Sequence, residues 1–279
     1  MLNQVQSGMA AAERVFDLLD EEPETTDDPK SSISVETTKG IVDFEHVRFG
    51  YTPDKTLMHD VNFHVDSGQV FAIVGPSGAG KTTLVNLLMR FYEIGGGAIK
   101  LDGIPISSMT RGDLRKFVGM VLQDTWIFTG TIFENIAYGK PDATMEDVVA
   151  AAKKAQCDSF IRKLPDGYNT LIDADSSALS VGEKQLLAIA RVVLAEPKIL
   201  ILDEATSNID TRTEVLITKA MSDMMKGRTT FIIAHRLFTV KNSDCIIFMK
   251  DGDILEVGNH EELMKKGGYY AELYNSSYA

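Results

Sequence analysis

A run of five apolar residues, Val70-Phe71-Ala72-Ile73-Val74, leads without a break into Gly75-Pro76-Ser77-Gly78-Ala79-Gly80-Lys81-Thr82-Thr83 and then into the helical stretch Leu84-Val85-Asn86-Leu87-Leu88. An apolar run with no alternation suits a strand buried on both faces, as in a parallel sheet covered by helices. The glycines after it let backbone N–H groups converge on one point, and the helix that follows aims the positive end of its dipole at the same point. Such a point holds phosphate. The full pattern, G-x-x-x-x-G-K-[ST] between a strand and a helix, specifies a nucleoside triphosphate: Lys81 reaches the β- and γ-phosphates and the Thr82 hydroxyl ligates Mg2+. Gly75, Ser77, Gly78, Ala79, Gly80, Lys81, Thr82 and Thr83 are therefore candidate ligands.

A second apolar strand ends in acids: Lys198-Ile199-Leu200-Ile201-Leu202-Asp203-Glu204. In a parallel sheet the carboxyl ends of strands face the ligand crevice. There Asp203 holds Mg2+ and Glu204 polarises an attacking water. An acidic pair after a strand also suits a surface turn, and it is the phosphate loop upstream that selects the catalytic reading.

The remaining chain frames these two motifs. Its 279 residues, 44% hydrophobic and 24% charged, belong to a globular protein. A net charge of −12 lacks the basic footprint of a nucleic-acid binder, so no nucleic-acid partner is expected. Cys157 and Cys245 are too few and too far apart for a disulfide framework or a zinc site. The most apolar stretches, 186–195 and 199–202, are broken by Arg191, Glu196, Pro197 and Lys198 and fall short of the roughly 20 residues a membrane helix needs. No secretory signal precedes them, and the chain by itself reads as soluble and cytosolic.

Near the N-terminus, Met9, Ala12, Phe16 and Leu19 form the stripe of an amphipathic helix over residues 7–19. Residues 20–29 hold six acids and two prolines, which predicts a solvated tether. From about residue 41 the pattern turns to strands: alternation in 42–45 and 61–65 predicts antiparallel pairing. The runs 230–234 and 245–249 share the buried-strand texture. Residues 145–155 and 159–164 predict helices, Asp251-Gly252-Asp253 a hairpin turn, and 260–266 a closing helix. The expected fold is α/β, a P-loop NTPase (RecA-like) core with an N-terminal antiparallel β subdomain and an inserted α-helical subdomain at about 128–195. His46, His59, His64 and His260 have no ligand spacing, and Trp126 reads as packing at a subdomain or membrane-domain contact.

Several further segments together resemble the nucleotide-binding domain of an ABC transporter. Leu179-Ser180-Val181-Gly182-Glu183-Lys184-Gln185 is followed by Ala188-Ile189-Ala190-Arg191, then by the Asp203-Glu204 strand and Ala205-Thr206-Ser207-Asn208-Ile209-Asp210. Gln123, in Val121-Leu122-Gln123-Asp124, stands where that family has its Q-loop glutamine, His235 where it has its switch histidine, and Tyr51 where an aromatic stacks on adenine. Thr129-Gly130-Thr131-Ile132-Phe133-Glu134-Asn135-Ile136 and the entry helix ending at Leu19 resemble the exporter branch, multidrug- or lipid-exporter-like. The likeness runs over roughly residues 41–275.

The resemblance implies ATP as the nucleotide, and a head-to-tail homo- or heterodimer of two such domains with two ATP molecules in the interface. Ser180 and Gly182, with Glu183, would meet in trans the nucleotide held by the partner's P-loop. Gln123 would sense Mg2+, His235 would contact the γ-phosphate, and Asp210 would link the two sites. Residues 1–40 would connect to the transmembrane domains of the exporter and 41–279 form the ATPase domain, at the cytoplasmic face of the cell membrane. Val181 departs from the family's second glycine and Glu183 from its usual glutamine. Two functions follow: an exporter ATPase that hydrolyses ATP, or an ATP-binding partner of a heterodimer with weak hydrolysis. A DNA-repair ATPase of the same superfamily would carry a very long coiled-coil insertion, for which the stretch between Lys81 and Asp203 has no room.

Overall fold

The computed structural model describes residues 2–21, 24, 27, 37–122, 125–173, 179–204, 209–234 and 240–276. Its framework is a six-stranded sheet ordered β12 (Asp253–Gly258), β11 (Cys245–Lys250), β3 (Val70–Val74), β10 (Thr229–Ala234), β9 (Ile199–Glu204), β6 (Val118–Val121). Every neighbouring pair is parallel except the edge hairpin β11–β12. The unbroken apolar runs divide their side chains between two faces. Phe71, Ile73, Ile199, Ile201, Phe231 and Ile233 enter one core, while Ala72, Val74, Leu200, Leu202, Ile232 and Ile246 enter cores on the opposite side. Burial of both faces removes any reason for polar alternation. The hairpin turn at Asp251-Gly252 stands where the sequence predicts it.

The first face is covered by α2 (Lys81–Leu88) and a four-stranded antiparallel sheet, β2 (Met58–Val65), β1 (Val42–Phe49), β4 (Gly96–Leu101) and β5 (Ile104–Pro105) in that order. β1 and β2 pair as expected, with Val42 opposite Val65 and Phe44 opposite Phe63. The antiparallel unit is not wholly N-terminal, however. β4 and β5 come from beyond the glycine loop, and β4 fills the other side of β1. Its signal, Ala98-Ile99-Lys100-Leu101 after three glycines, is only one short alternation.

The second face carries α4 (Ile132–Ala137), α5 (Met145–Lys154), α6 (Asp158–Ile161), α7 (Val181–Ala195) and α8 (Thr211–Met225). The helix expected at 145–155 matches α5, whose start is fixed by a capping box between Thr144 and Asp147. The one expected at 159–164 shortens to a single turn, because Pro165 disfavours helical backbone at the residue before it. A short hairpin of β7 (Gly130–Thr131) and β8 (Leu171–Ile172) joins this group. The closing helix α9 (His260–Lys266) is followed by α10 (Tyr269–Ser276), which seats Tyr270 in a third core with Val240, Leu263 and Phe248.

At the N-terminus α1 (Leu2–Leu19) begins five residues before the predicted start. Its apolar stripe faces outward, with Met9 68%, Phe16 60% and Leu19 69% exposed. No helix among the described residues is long and apolar enough to cross a membrane. The acidic tether is not purely solvated. Asp27 accepts the backbone N–H of Arg111 at 2.8 Å and its guanidinium at 3.0 Å, and lies 3.3 Å from Arg90. Glu24 pairs with Arg111 at 3.1 Å, and Glu93 accepts from both arginines at 2.8 and 2.9 Å. Arg90 also donates to the Met109 carbonyl at 2.7 Å. Both guanidiniums are buried, and burial of a charge is tolerable only when it is paired. Arg111 opens α3 (Arg111–Lys116), so Asp27 serves that helix start as well.

Replacing Asp27 by Ala leaves two buried guanidiniums with one fewer acid. The expected loss is about 1–3 kcal/mol, seen as a lower urea midpoint at unchanged m-value, whereas Glu13→Ala on exposed α1 leaves the midpoint in place. Equal behaviour of the two variants would mean the tether is not held.

Candidate nucleotide-phosphate site

The glycine loop fits because other backbone presses on it from behind. A Cβ at Gly75 would stand 2.1 Å from the Met249 carbonyl oxygen at the end of β11, so no side chain fits there. The tip of the β11–β12 hairpin adds a hydrogen bond, Gly252 N–H donating to the Ala79 carbonyl at 3.0 Å. Gly80 then caps α2 in the left-handed region, φ 100°. Lys81, the first residue of α2, is buried and donates its ammonium to the Gly75 and Pro76 carbonyls at 2.7 and 2.9 Å. Burial pulls its pKa below the ordinary lysine value, while the Asp203 carboxylate pushes it the other way. The cation thus straddles the start of the loop, at the floor of the phosphate cradle.

Above the loop lies an open cleft of about 350 Å3, lined by Tyr51, Leu57 and residues 77–83. Tyr51, Ser77, Gly78, Ala79, Gly80, Lys81, Thr82 and Thr83, each named above as a candidate, meet around it. Tyr51 is 53% exposed, and its hydroxyl is fixed on Thr83 Oγ1 at 2.8 Å. Its ring meets Phe49 and Tyr92 edge-on, with centroids 5.0 and 5.1 Å apart. Tyr92 and Leu57 escape a sequence reading, since neither belongs to a spaced motif and only the fold brings them to Tyr51.

Asp203 reaches the same region through strand register. Ile233 of β10 pairs with Ile73 of β3 on one side and with Asp203 of β9 on the other, and Ala234 pairs with Glu204. Three parallel strands therefore end together, the phosphate loop leaving one and the acids closing another. The Glu204 side chain, Gln123 and His235 lie outside the described residues. Thr82 and Asp203 offer hard oxygen donors, which suit Mg2+. No cluster of three or more His, Cys, Asp or Glu able to hold a metal exists among the described residues.

Ser180, Gly182, Glu183 and Asp210 form a separate group where the starts of α7 and α8 meet, and none of them lines the cleft. Ser180 caps α7 in a reciprocal box with Glu183. Asp210 caps α8, accepting from the N–H groups of Arg212 and Thr213 at 3.1 and 3.0 Å. The Thr213 hydroxyl and N–H, ahead of the other contacts, hold its carboxyl below the usual range. Gly182 is required by packing inside the chain, because a Cβ there would sit 2.3 Å from Thr213 Cγ2. Val181 is 58% exposed and touches no such limit. Of the other residues singled out, His46, His59 and His64 pair with aspartates on exposed surface, and His260 with Tyr270. Trp126 stands exposed over the Arg191 guanidinium, 5.9 Å away.

Among known proteins, the family model described as ABC transporter matches residues 58–207. A fatty acid ABC transporter ATP-binding/permease protein of Mycobacterium bovis is 54% identical over 273 residues, 98% of this chain and 43% of its own. An ATP-dependent lipid A-core flippase of Legionella pneumophila is 46% identical over 270 residues, 97% of this chain and 45% of its own. A solved bacterial Atm1-family ABC exporter with ATP bound superimposes with a TM-score of 0.86 at 42% identity, covering 99% of this chain and 48% of that one. The chain spans under half the length of these relatives.

Gly182→Ala should cost about 1–3 kcal/mol of stability by overpacking, and the added change Thr213→Ser, which removes the opposing methyl, should restore most of it. Chemical denaturation of the two variants measures both. An unchanged Gly182→Ala midpoint would show that the α7–α8 contact does not need the glycine.

Proposed function

The chain belongs to the ABC transporter family, and on that footing we propose that it binds ATP with Mg2+ and hydrolyses it to power export across a membrane. The observation that supports this most is the shared edge of β3, β10 and β9, which sets the phosphate cradle beside the acidic end of β9. In the proposed complex Tyr51 stacks on adenine, and its hydrogen bond to Thr83 holds the ring in place. The loop N–H groups receive the β- and γ-phosphates, and Lys81 turns from the Gly75 and Pro76 carbonyls to phosphate oxygens. Thr82, Asp203 and Gln123 would hold Mg2+, which would supply neutralisation of phosphate charge. Glu204 takes a proton from water as its oxygen bonds to the γ-phosphorus. The β–γ bridging bond breaks, leaving ADP and phosphate, and His235 contacts the γ-phosphoryl group during the step.

The rest of the reading concerns what surrounds this centre. Two domains close head to tail, each offering Ser180 and the Gly182 N–H to the other's nucleotide, with Asp210 between the sites. Residues 41–279 form the ATPase domain, with 128–195 as its helical part. Residues 1–40 lead toward transmembrane domains, at the cytoplasmic face of a membrane. The name of the Mycobacterium bovis relative, which joins ATP binding to a permease, and the outward apolar stripe of α1 support that arrangement.

Glu204→Gln should keep ATP binding, lengthen the life of an ATP-held dimer and lower phosphate release about a hundredfold or more. Near-normal turnover by that variant would remove Glu204 from the mechanism. For pairing of like chains, the hydrolysis rate of this chain alone should rise faster than linearly with its concentration. Activity that emerges only on adding a different ABC chain would replace the homodimer by a heterodimer.

A further inference from the structure

The hydroxyl assigned above to a phosphate already has a partner. Ser180 Oγ donates to Glu183 Oε2 at 2.9 Å, and Ser180 N–H donates to the same oxygen at 2.9 Å. In return Glu183 N–H donates to Ser180 Oγ at 3.3 Å. One carboxylate oxygen thus takes both donors of Ser180. A serine hydroxyl has a single proton, so a phosphate oxygen can receive it only when it is no longer given to Oε2, and a carboxylate left at that place repels the incoming anion. The start of α7 lies so close to α8 that a Cβ at Gly182 would meet Thr213 Cγ2 at 2.3 Å and Ile209 Cγ2 at 3.1 Å, which leaves little room for the helix itself to move. The movable part is the Glu183 side chain.

Glutamine at this position could close the same box with a neutral carbonyl. Glutamate closes it with a full negative charge, within hydrogen-bond reach of the hydroxyl that an anion must approach. We propose that Glu183 is a built-in competitor of the γ-phosphate for Ser180, and that it sets the ATP concentration at which two chains close on one another. This rests on the reading of Ser180 as a ligand of the partner's nucleotide. Closure proceeds by exchange: the carboxylate swings to solvent, the Ser180 hydroxyl turns to the phosphate, and no covalent bond changes. Without nucleotide the same carboxylate satisfies the start of α7, so it serves as cap and as guard in turn.

The test uses the Glu204→Gln form of this chain, whose ATP-held dimer should persist, with and without Glu183→Gln, Glu183→Ala or Ser180→Ala. Sedimentation velocity gives the ATP midpoint of dimerisation. A fluorescent ATP analogue at dilute protein gives the affinity of the P-loop site alone. Glu183→Gln should lower the dimerisation midpoint about threefold to tenfold with unchanged P-loop affinity and melting temperature, and added salt should narrow the gap. Glu183→Ala should melt earlier yet also close at lower ATP, a combination that a purely structural cap does not give. Ser180→Ala should weaken closure and abolish the gain from Glu183→Gln. A dimerisation midpoint that does not move on Glu183→Gln overturns the competitor while leaving the site reading intact. Failure of every form to dimerise, with P-loop binding intact, overturns the trans role of Ser180 and the competitor with it.

Discussion

The pairing of β10 with β3 on one side and β9 on the other is the constraint from which the candidate site follows. Parallel register makes Ile73, Ile233 and Asp203 neighbours across three strands. A glycine loop and an acidic pair far apart in sequence thereby leave the sheet at one level. Had either strand run antiparallel, its functional end would lie at the opposite edge. The sheet can impose this order because both faces are buried, and a slip of register would move apolar side chains out of well-packed cores.

The loop depends in turn on a hairpin that follows it by well over a hundred residues. Met249 closes the space behind Gly75, and Gly252 hydrogen-bonds the loop at Ala79. Lys81 then spans the front of the loop through the carbonyls of Gly75 and Pro76. Backbone and hairpin hold the loop from behind, which limits the reorganisation left for the loop on binding and leaves the Lys81 side chain as the part that must turn.

The parts of this design that sequence reveals are those with local grammar. Uninterrupted apolar runs mark β3, β9, β10 and β11, and fixed spacing marks the loop residues and Asp203. Contacts between distant segments leave no such trace. Nothing in Ala98–Leu101 says that it completes the sheet with β1, and nothing in Phe91-Tyr92 says that Tyr92 will touch Tyr51. The tether shows the same limit. Six acids and two prolines resemble solvated chain on composition alone, and only the burial of Arg90 and Arg111 turns Glu24 and Asp27 into counter-charges. Gly182 carries a further lesson: inside the chain itself the glycine answers to a threonine methyl.

The same arginine pair has a mechanical meaning. Arg90 lies two residues beyond the end of α2, its N–H bonded to the Leu87 carbonyl at 3.0 Å, so Asp27 is fastened to the rear of the helix that Lys81 opens. Glu24 and Asp27, only five and eight residues beyond Leu19, already meet the body of the domain at Arg111 and Arg90. The N-terminal segment is thus anchored where two buried guanidiniums meet the helix that carries Lys81.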